Sequence, residues 1–177
     1  MTVLAGPFAI ATVVLALGGA SKMLEPADTA NALRALHLPS GRVLVRVGGA
    51  FELVVALAAL VTGATVLAAV VALSYAAFAV VVMLALGSGR AISTCGCFGK
   101  VDTPPSWVHV VLDLVFAGVA AAAAVAVDSQ VALPDVLSHQ PLLGIPFVVL
   151  VIVGTGLVFL AFTALPKTMA AVKAFRP

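Results

Sequence analysis

ATVLAAVVALSYAAFAVVVMLAL, residues 64–86, contains no charged side chain and is long enough to cross a lipid bilayer as a helix. In hydrocarbon, every backbone N–H and C=O must find a partner inside the protein, and a helix satisfies these groups within one segment. The uninterrupted apolar pattern is typical of a helix rather than of the alternating strands of a membrane barrel. This stretch therefore predicts an all-α membrane fold.

The composition extends this prediction to the whole chain. Of the 177 residues, 63% are hydrophobic and only 9% are charged, and the mean hydropathy is +1.26. A soluble domain of this length could not bury so much apolar surface. The net charge of +2 is small, and the cations are spread along the chain without interleaved aromatic residues. The predicted surroundings are therefore a lipid bilayer, and nucleic acid is excluded as a partner.

Five stretches have the length of a membrane crossing, about 20 residues. The predicted crossings of this polytopic helix bundle are Val3–Met23, Val43–Val61, Ala64–Leu86, Ser106–Val127 and Gly144–Leu165. A short amphipathic helix, Pro26–Leu38, is predicted to lie along the membrane surface after the first crossing. Gly63 and its two neighbours leave room only for a tight turn, so the second and third crossings form a hairpin. We interpret the chain as a single integral-membrane domain, residues 1–177.

Both cysteines lie in one short polar break, Thr94-Cys95-Gly96-Cys97-Phe98-Gly99. Gly96 has no Cβ to obstruct the tight backbone that a ring through the two thiols needs. The pair could therefore cycle between dithiol and disulfide, or hold one soft metal ion. A purely structural crosslink is disfavoured, because closing so small a loop removes little entropy from the unfolded chain. Arg90 and Lys100 flank the loop, and nearby cations stabilise a reactive thiolate.

The leading hypothesis is a membrane thiol–disulfide oxidoreductase in which Cys95 and Cys97 are the catalytic residues. They would pass through a mixed disulfide with a thiol- or disulfide-bearing protein, for which a thioredoxin-like protein is one candidate. Two alternatives stay open: a protein that binds or transports Cu, Hg or Zn through the same thiolates, and a non-catalytic membrane assembly factor. No cofactor is certain; a quinone near Tyr75, Glu52 and Asp113 would supply an electron acceptor, but no motif indicates one.

Ionisable side chains inside the predicted crossings form the next group of candidates. Such groups are costly in hydrocarbon and usually face a protein interior or a water-filled cavity. Glu52 lies near the middle of the second crossing, where it either pairs with Lys22 or Arg46 to fix helix packing or takes a chemical role. His109 precedes Asp113 by one helical turn, so the two share a face and could relay a proton. We predict a supporting polar site of Lys22, Glu52, His109 and Asp113.

The positive charges predict an orientation. With five crossings, every Lys and Arg falls on one side of the membrane: Lys22, Arg34, Arg42, Arg46, Arg90, Lys100, Lys167, Lys173 and Arg176. The positive-inside rule places that side, and with it the Cys95/Cys97 loop, in the cytoplasm. The first crossing is not typical of a signal peptide, because no basic residue precedes it and Lys22 follows it.

Three segments of the chain resemble known families. Residues 93–99, followed by Pro104-Pro105-Ser106-Trp107, resemble the Cys-Gly-Cys-Phe-Gly signature of the MauE proteins of methylamine utilisation. Gly18–Met23 and Gly49–Leu53 resemble the first- and second-helix patterns of the wider DoxX-like group. The resemblance covers about residues 1–127, so the crossing near residues 144–165 is an addition to that core.

The resemblance implies redox maturation of partner proteins, particularly disulfide formation, with Cys95 and Cys97 as the active pair. Disulfide formation in exported proteins needs thiols in an oxidising compartment outside the cytoplasm. The family role therefore implies an outer-face loop, whereas the charge count predicts a cytoplasmic one. Family members often carry Arg-Asn where this chain has Leu112-Asp113, so a role of that arginine is not carried over.

Overall fold

The computed structural model describes residues 3–88, 104–126, 132, 134 and 141–168, with side chains from residue 144 onward in the last range. Across these residues the chain forms helices and no strands. The helices are α1 (Ala5–Leu24), α2 (Pro26–Ala35), α3 (Arg42–Thr62), α4 (Thr65–Gly87), α5 (Trp107–Val125) and α6 (Pro141–Thr163). All except α2 are long and apolar enough to cross a membrane. The predicted all-α bundle with five crossings is confirmed.

The hairpin between α3 and α4 depends on Gly63. This residue has φ +60°, in the left-handed region that glycine adopts without a Cβ penalty, and its N–H donates to the Ala59 carbonyl at 2.9 Å. A Cβ at this position would lie 2.9 Å from the backbone nitrogen of Ala132. Glycine is therefore needed both for the turn and for the close approach of the chain between α5 and α6.

Helix α2 ends at Ala35, three residues before the predicted end at Leu38. The N–H of His37 donates to the Arg34 carbonyl at 3.0 Å, and the N–H of Leu38 donates to the Leu33 carbonyl at 2.9 Å. These two bonds form a Schellman cap, in which His37 takes the left-handed position at φ 59°. The helix ends early because this cap satisfies its last carbonyls.

Helix α1 is central and contacts α2, α3, α5 and α6, while α4 packs most extensively against α5. The hydroxyl of Tyr75 on α4 donates to the Ala11 carbonyl on α1 at 2.6 Å. Its ring packs against Phe116 on α5 with a centroid distance of 5.2 Å. The rest of the core combines alanine and aromatic side chains with Val and Leu, and includes Phe8, Leu15, Ala56, Val71, Ala120 and Phe162. One buried tyrosine thus connects three crossings.

Helices α1 and α3 cross at a pair of glycines. A Cβ on Gly49 would lie 2.6 Å from the Gly19 carbonyl oxygen, and a Cβ on Gly19 would lie 2.6 Å from the Gly49 carbonyl oxygen. Small residues at such crossings let two membrane helices approach backbone to backbone. The crossing places Lys22, one turn after Gly19, beside the turn of α3 that carries Glu52.

Candidate functional site

A buried ion pair joins α1 to α3. The ammonium of Lys22 donates to both carboxylate oxygens of Glu52, at 2.8 and 2.7 Å, and the two side chains are only 9% and 12% exposed. The Lys22 nitrogen also lies 4.0 Å from the centroid of the Phe78 ring on α4. Of the two partners predicted for Glu52, the structure selects Lys22, whereas Arg46 is exposed.

A groove of about 250 Å³ opens beside this pair. Its walls are formed by apolar side chains of α2, α3 and α4, among them Leu33, Val45 and Val81, and its charged lining residues are Lys22 and Glu52. Ligand pockets usually measure about 300–1,000 Å³. The groove can therefore accept a small head group or part of a lipid chain, with one charged end and apolar walls.

Asp113 on α5 is buried on the other side of Lys22. Its side chain is 2% exposed, and its Oδ2 atom has no hydrogen-bond partner within the described residues. It lines a second cavity, of about 20 Å³, together with Lys22, Tyr75 and Phe162. Lys22 lines both cavities. The structure thus brings Asp113 to the neighbourhood of the Lys22–Glu52 pair without a direct ion pair between Asp113 and Lys22.

His109 lies one turn before Asp113 and is 1% exposed. Its Nδ1 atom is at hydrogen-bond distance, 2.8 Å, from the hydroxyl of Ser106, the N-cap residue of α5. Its ring packs against Phe162 on α6 at a centroid distance of 5.5 Å. His109 does not line the cavity that Asp113 shares with Lys22. Of the four predicted residues of the polar site, three surround the two cavities and His109 lies beside them.

The residues considered for a quinone do not line one common cavity. Tyr75 and Asp113 line the cavity of about 20 Å³, which has the volume of one water molecule and cannot hold a quinone ring. Glu52 instead lines the larger groove. A quinone head group that contacts Glu52 would therefore lie between α2, α3 and α4, away from the Tyr75 hydroxyl.

Cys95, Gly96, Cys97, Phe98 and Gly99 lie outside the described residues, so the catalytic pair stays a prediction. Their segment, residues 89–103, joins the end of α4 to the start of α5. In the described part of the chain, no group of three or more His, Cys, Asp or Glu is placed to hold a metal ion. The alternative metal site at Cys95 and Cys97 likewise stays a prediction.

Comparison with protein families matches residues 1–127 to the model described as methylamine utilisation protein MauE. The chain belongs to the MauE family. The MauE region spans α1 to α5 and includes both cysteines, whereas α6 lies beyond it. The family predicted from the cysteine loop is confirmed, and the link to the wider DoxX-like group stays a prediction. Neither the curated proteins nor the solved structures gave a match.

Proposed function

We propose that this MauE-family protein is a membrane thiol–disulfide oxidoreductase whose reactive residues are Cys95 and Cys97. The observation that supports this most is their position: the chain's two cysteines are one residue apart and lie within the MauE region. The helices on either side of their segment also carry Phe78 and Asp113, which surround Lys22. Asp113 is six residues after the start of α5, about 9 Å along the helix axis. Phe78 and Asp113 thus lie on the two helices that the cysteine segment connects.

The exchange proceeds through two substitutions at sulfur. A thiolate of a reduced partner attacks the Cys95–Cys97 disulfide, a new S–S bond joins the partner to one cysteine, and the other cysteine leaves as a thiolate. The second thiolate of the partner then attacks the mixed disulfide and releases the oxidised partner. Two electrons and two protons pass from the partner to the pair, and the reverse sequence reduces a partner disulfide. Repeated oxidation of partners requires a two-electron acceptor, for which a membrane quinone is the chemical class.

The family description suggests the biological setting. A membrane protein of methylamine utilisation that forms disulfides in a partner protein is the role that we propose. The positive charges that the sequence predicts on one side of the membrane support a cytoplasmic loop, whereas an exported partner would require the outer face. An outer-face loop would therefore serve to oxidise an exported partner, whereas a cytoplasmic loop would exchange disulfides with a cytoplasmic partner.

Single-cysteine variants test the exchange. Cys95→Ser and Cys97→Ser each remove the thiol that would resolve a mixed disulfide, so at least one variant should accumulate an adduct that reductant releases. The adduct is measured on non-reducing gels after rapid alkylation of cells. The double Cys95→Ser, Cys97→Ser variant is the matched control and should form none. Absence of an adduct from both single variants would contradict the proposed function.

The same variants report the orientation and the metal alternative. A membrane-impermeant maleimide should label a cytoplasmic thiol only after the cells are permeabilised, whereas rapid labelling of intact cells would place the loop on the outer face.

The metal content of the purified protein tests the metal alternative. Stoichiometric copper, mercury or zinc in the wild-type protein, lost in both variants, would favour the soft-metal function instead.

A further inference from the structure

The Oδ2 atom of Asp113 is a buried polar atom for which the described protein offers no partner. Buried polar atoms in folded proteins are nearly always hydrogen-bonded, either to protein or to an ordered water molecule. The cost of leaving such an atom unpaired is greater in a membrane, where bulk water is absent. Asp113 therefore calls for a partner beyond the side chains that the structure describes.

The cavity beside Asp113 has the size and the partners that one water molecule needs. Its volume of about 20 Å³ exceeds the roughly 10–15 Å³ required for a single water. Asp113 offers an acceptor, and Lys22 offers a donor, because two of the three ammonium N–H groups are used by Glu52. Two residues with polar end groups, on different helices, thus line the same one-water space.

We propose that this cavity binds one water molecule, which links Asp113 to Lys22 and joins Asp113, Lys22 and Glu52 into one proton-exchanging chain. The chain extends from α5 through α1 to α3, and it ends at the apolar groove that Lys22 and Glu52 line. Bound water of this kind is part of the folded structure and is costly to remove.

The chain can transfer a proton without a net change in its own charge. The Lys22 ammonium passes a proton to the Glu52 carboxylate, the amine that this leaves takes a proton from the water, and the water takes the proton of the Asp113 carboxyl. Asp113 ends as a carboxylate, Glu52 ends as a carboxylic acid, and Lys22 stays an ammonium. Conversion of a dithiol to a disulfide releases two protons, and this chain would carry one of them away from α5. That use rests on the proposed function, whereas the bound water does not.

Isotope-edited infrared spectroscopy of the protein in lipid nanodiscs tests the bound water. We expect an O–H stretching band that shifts in H₂¹⁸O in the wild-type protein, that changes frequency in Asp113→Asn and that is lost in Asp113→Leu. Asp113→Asn keeps the volume of the side chain and serves if Asp113→Leu does not fold. Thr155→Val is the matched control, because Thr155 Oγ1 is the other unpartnered buried side-chain atom in the described residues. This control should leave the band unchanged.

The outcomes separate the water from the proposed redox function. A wild-type protein without an ¹⁸O-sensitive band, or with a band that both Asp113 variants leave unchanged, overturns the proposal. A carboxyl band of Asp113 that changes when Cys95 and Cys97 are oxidised supports proton transfer along the chain. If the water band is present but the carboxyl band is the same in the dithiol and disulfide forms, the water site is supported and its coupling to thiol oxidation is refuted.

Discussion

Glu52→Leu is expected to lower the free energy of unfolding by about 3–5 kcal/mol, because it leaves the Lys22 ammonium buried without its carboxylate. In the wild-type protein both oxygens of Glu52 accept hydrogen bonds from that ammonium, and neither side chain is more than 12% exposed. The Phe78 ring stays beside the cation, but such a contact contributes only about 0.5–2 kcal/mol. Reversible unfolding in lipid bicelles measures the difference.

The matched control for this prediction is the double variant Lys22→Met, Glu52→Leu. It replaces a buried ion pair by apolar side chains of similar length, a change that is often neutral or stabilising. The double variant should therefore recover most of the stability that Glu52→Leu loses. If Glu52→Leu costs less than about 1 kcal/mol, the value typical of an exposed pair, Lys22 and Glu52 are not held in a desolvated site.

Gly49→Ala should also destabilise the protein, by about 1–3 kcal/mol, because the added methyl group has no space at the helix crossing. The new Cβ would lie 2.6 Å from the Gly19 carbonyl oxygen and 2.9 Å from the Cβ of Lys22. The obstructing atoms include backbone, so α1 and α3 must move apart. Because Lys22 lies at this contact, the same displacement should weaken the ion pair. The free energy of unfolding is again the measurement.

Gly48→Ala provides the control for this crossing. It makes the same chemical change one residue earlier in α3, where an added Cβ would meet no atom within 4 Å. Alanine favours a helix over glycine by about 1 kcal/mol, so Gly48→Ala should be neutral or stabilising. Equal effects of the two substitutions would contradict the close glycine crossing.

Hydropathy was sufficient to predict the membrane crossings, and their ends differ from the structure by at most three residues. The agreement arises because the apolar runs are bounded by proline, glycine and charged residues, which also end helices in lipid. The end of α2 was missed because its cap places His37 in the left-handed region. Residues other than glycine rarely adopt this conformation, so the sequence carries no clear signal for it.

The sequence predicts less of the candidate site than of the fold. Lys22 and Arg46 were both predicted as partners of Glu52, and the choice depends on the Gly19–Gly49 crossing, which directs Lys22 towards α3. Phe78 was not predicted, because nothing in an apolar helix marks the ring that will lie against a cation. The contact between Ser106 and His109 was also missed, although a serine three residues before a histidine at a helix start gives a usable spacing.

Helix α6 adds to the polar site from outside the MauE region. Its Phe162 is 2% exposed, packs against His109 and lines the small cavity that Asp113 shares with Lys22. This side chain covers the buried polar residues on the side of α5 that would otherwise face hydrocarbon. The additional crossing thus helps to keep the polar site inside the protein.

A thiol redox titration tests whether Cys95 and Cys97 form the proposed reversible disulfide. The purified protein in nanodiscs is equilibrated in buffers of defined potential, alkylated, and analysed by mass spectrometry. We expect the doubly alkylated form to convert to a form that carries the internal disulfide, with little singly alkylated protein. The ratio of the two forms should change tenfold for each change of about 30 mV, as a two-electron couple requires. If both thiols stay alkylatable in the most oxidising buffer, and neither forms a mixed disulfide, Cys95 and Cys97 are not a redox pair.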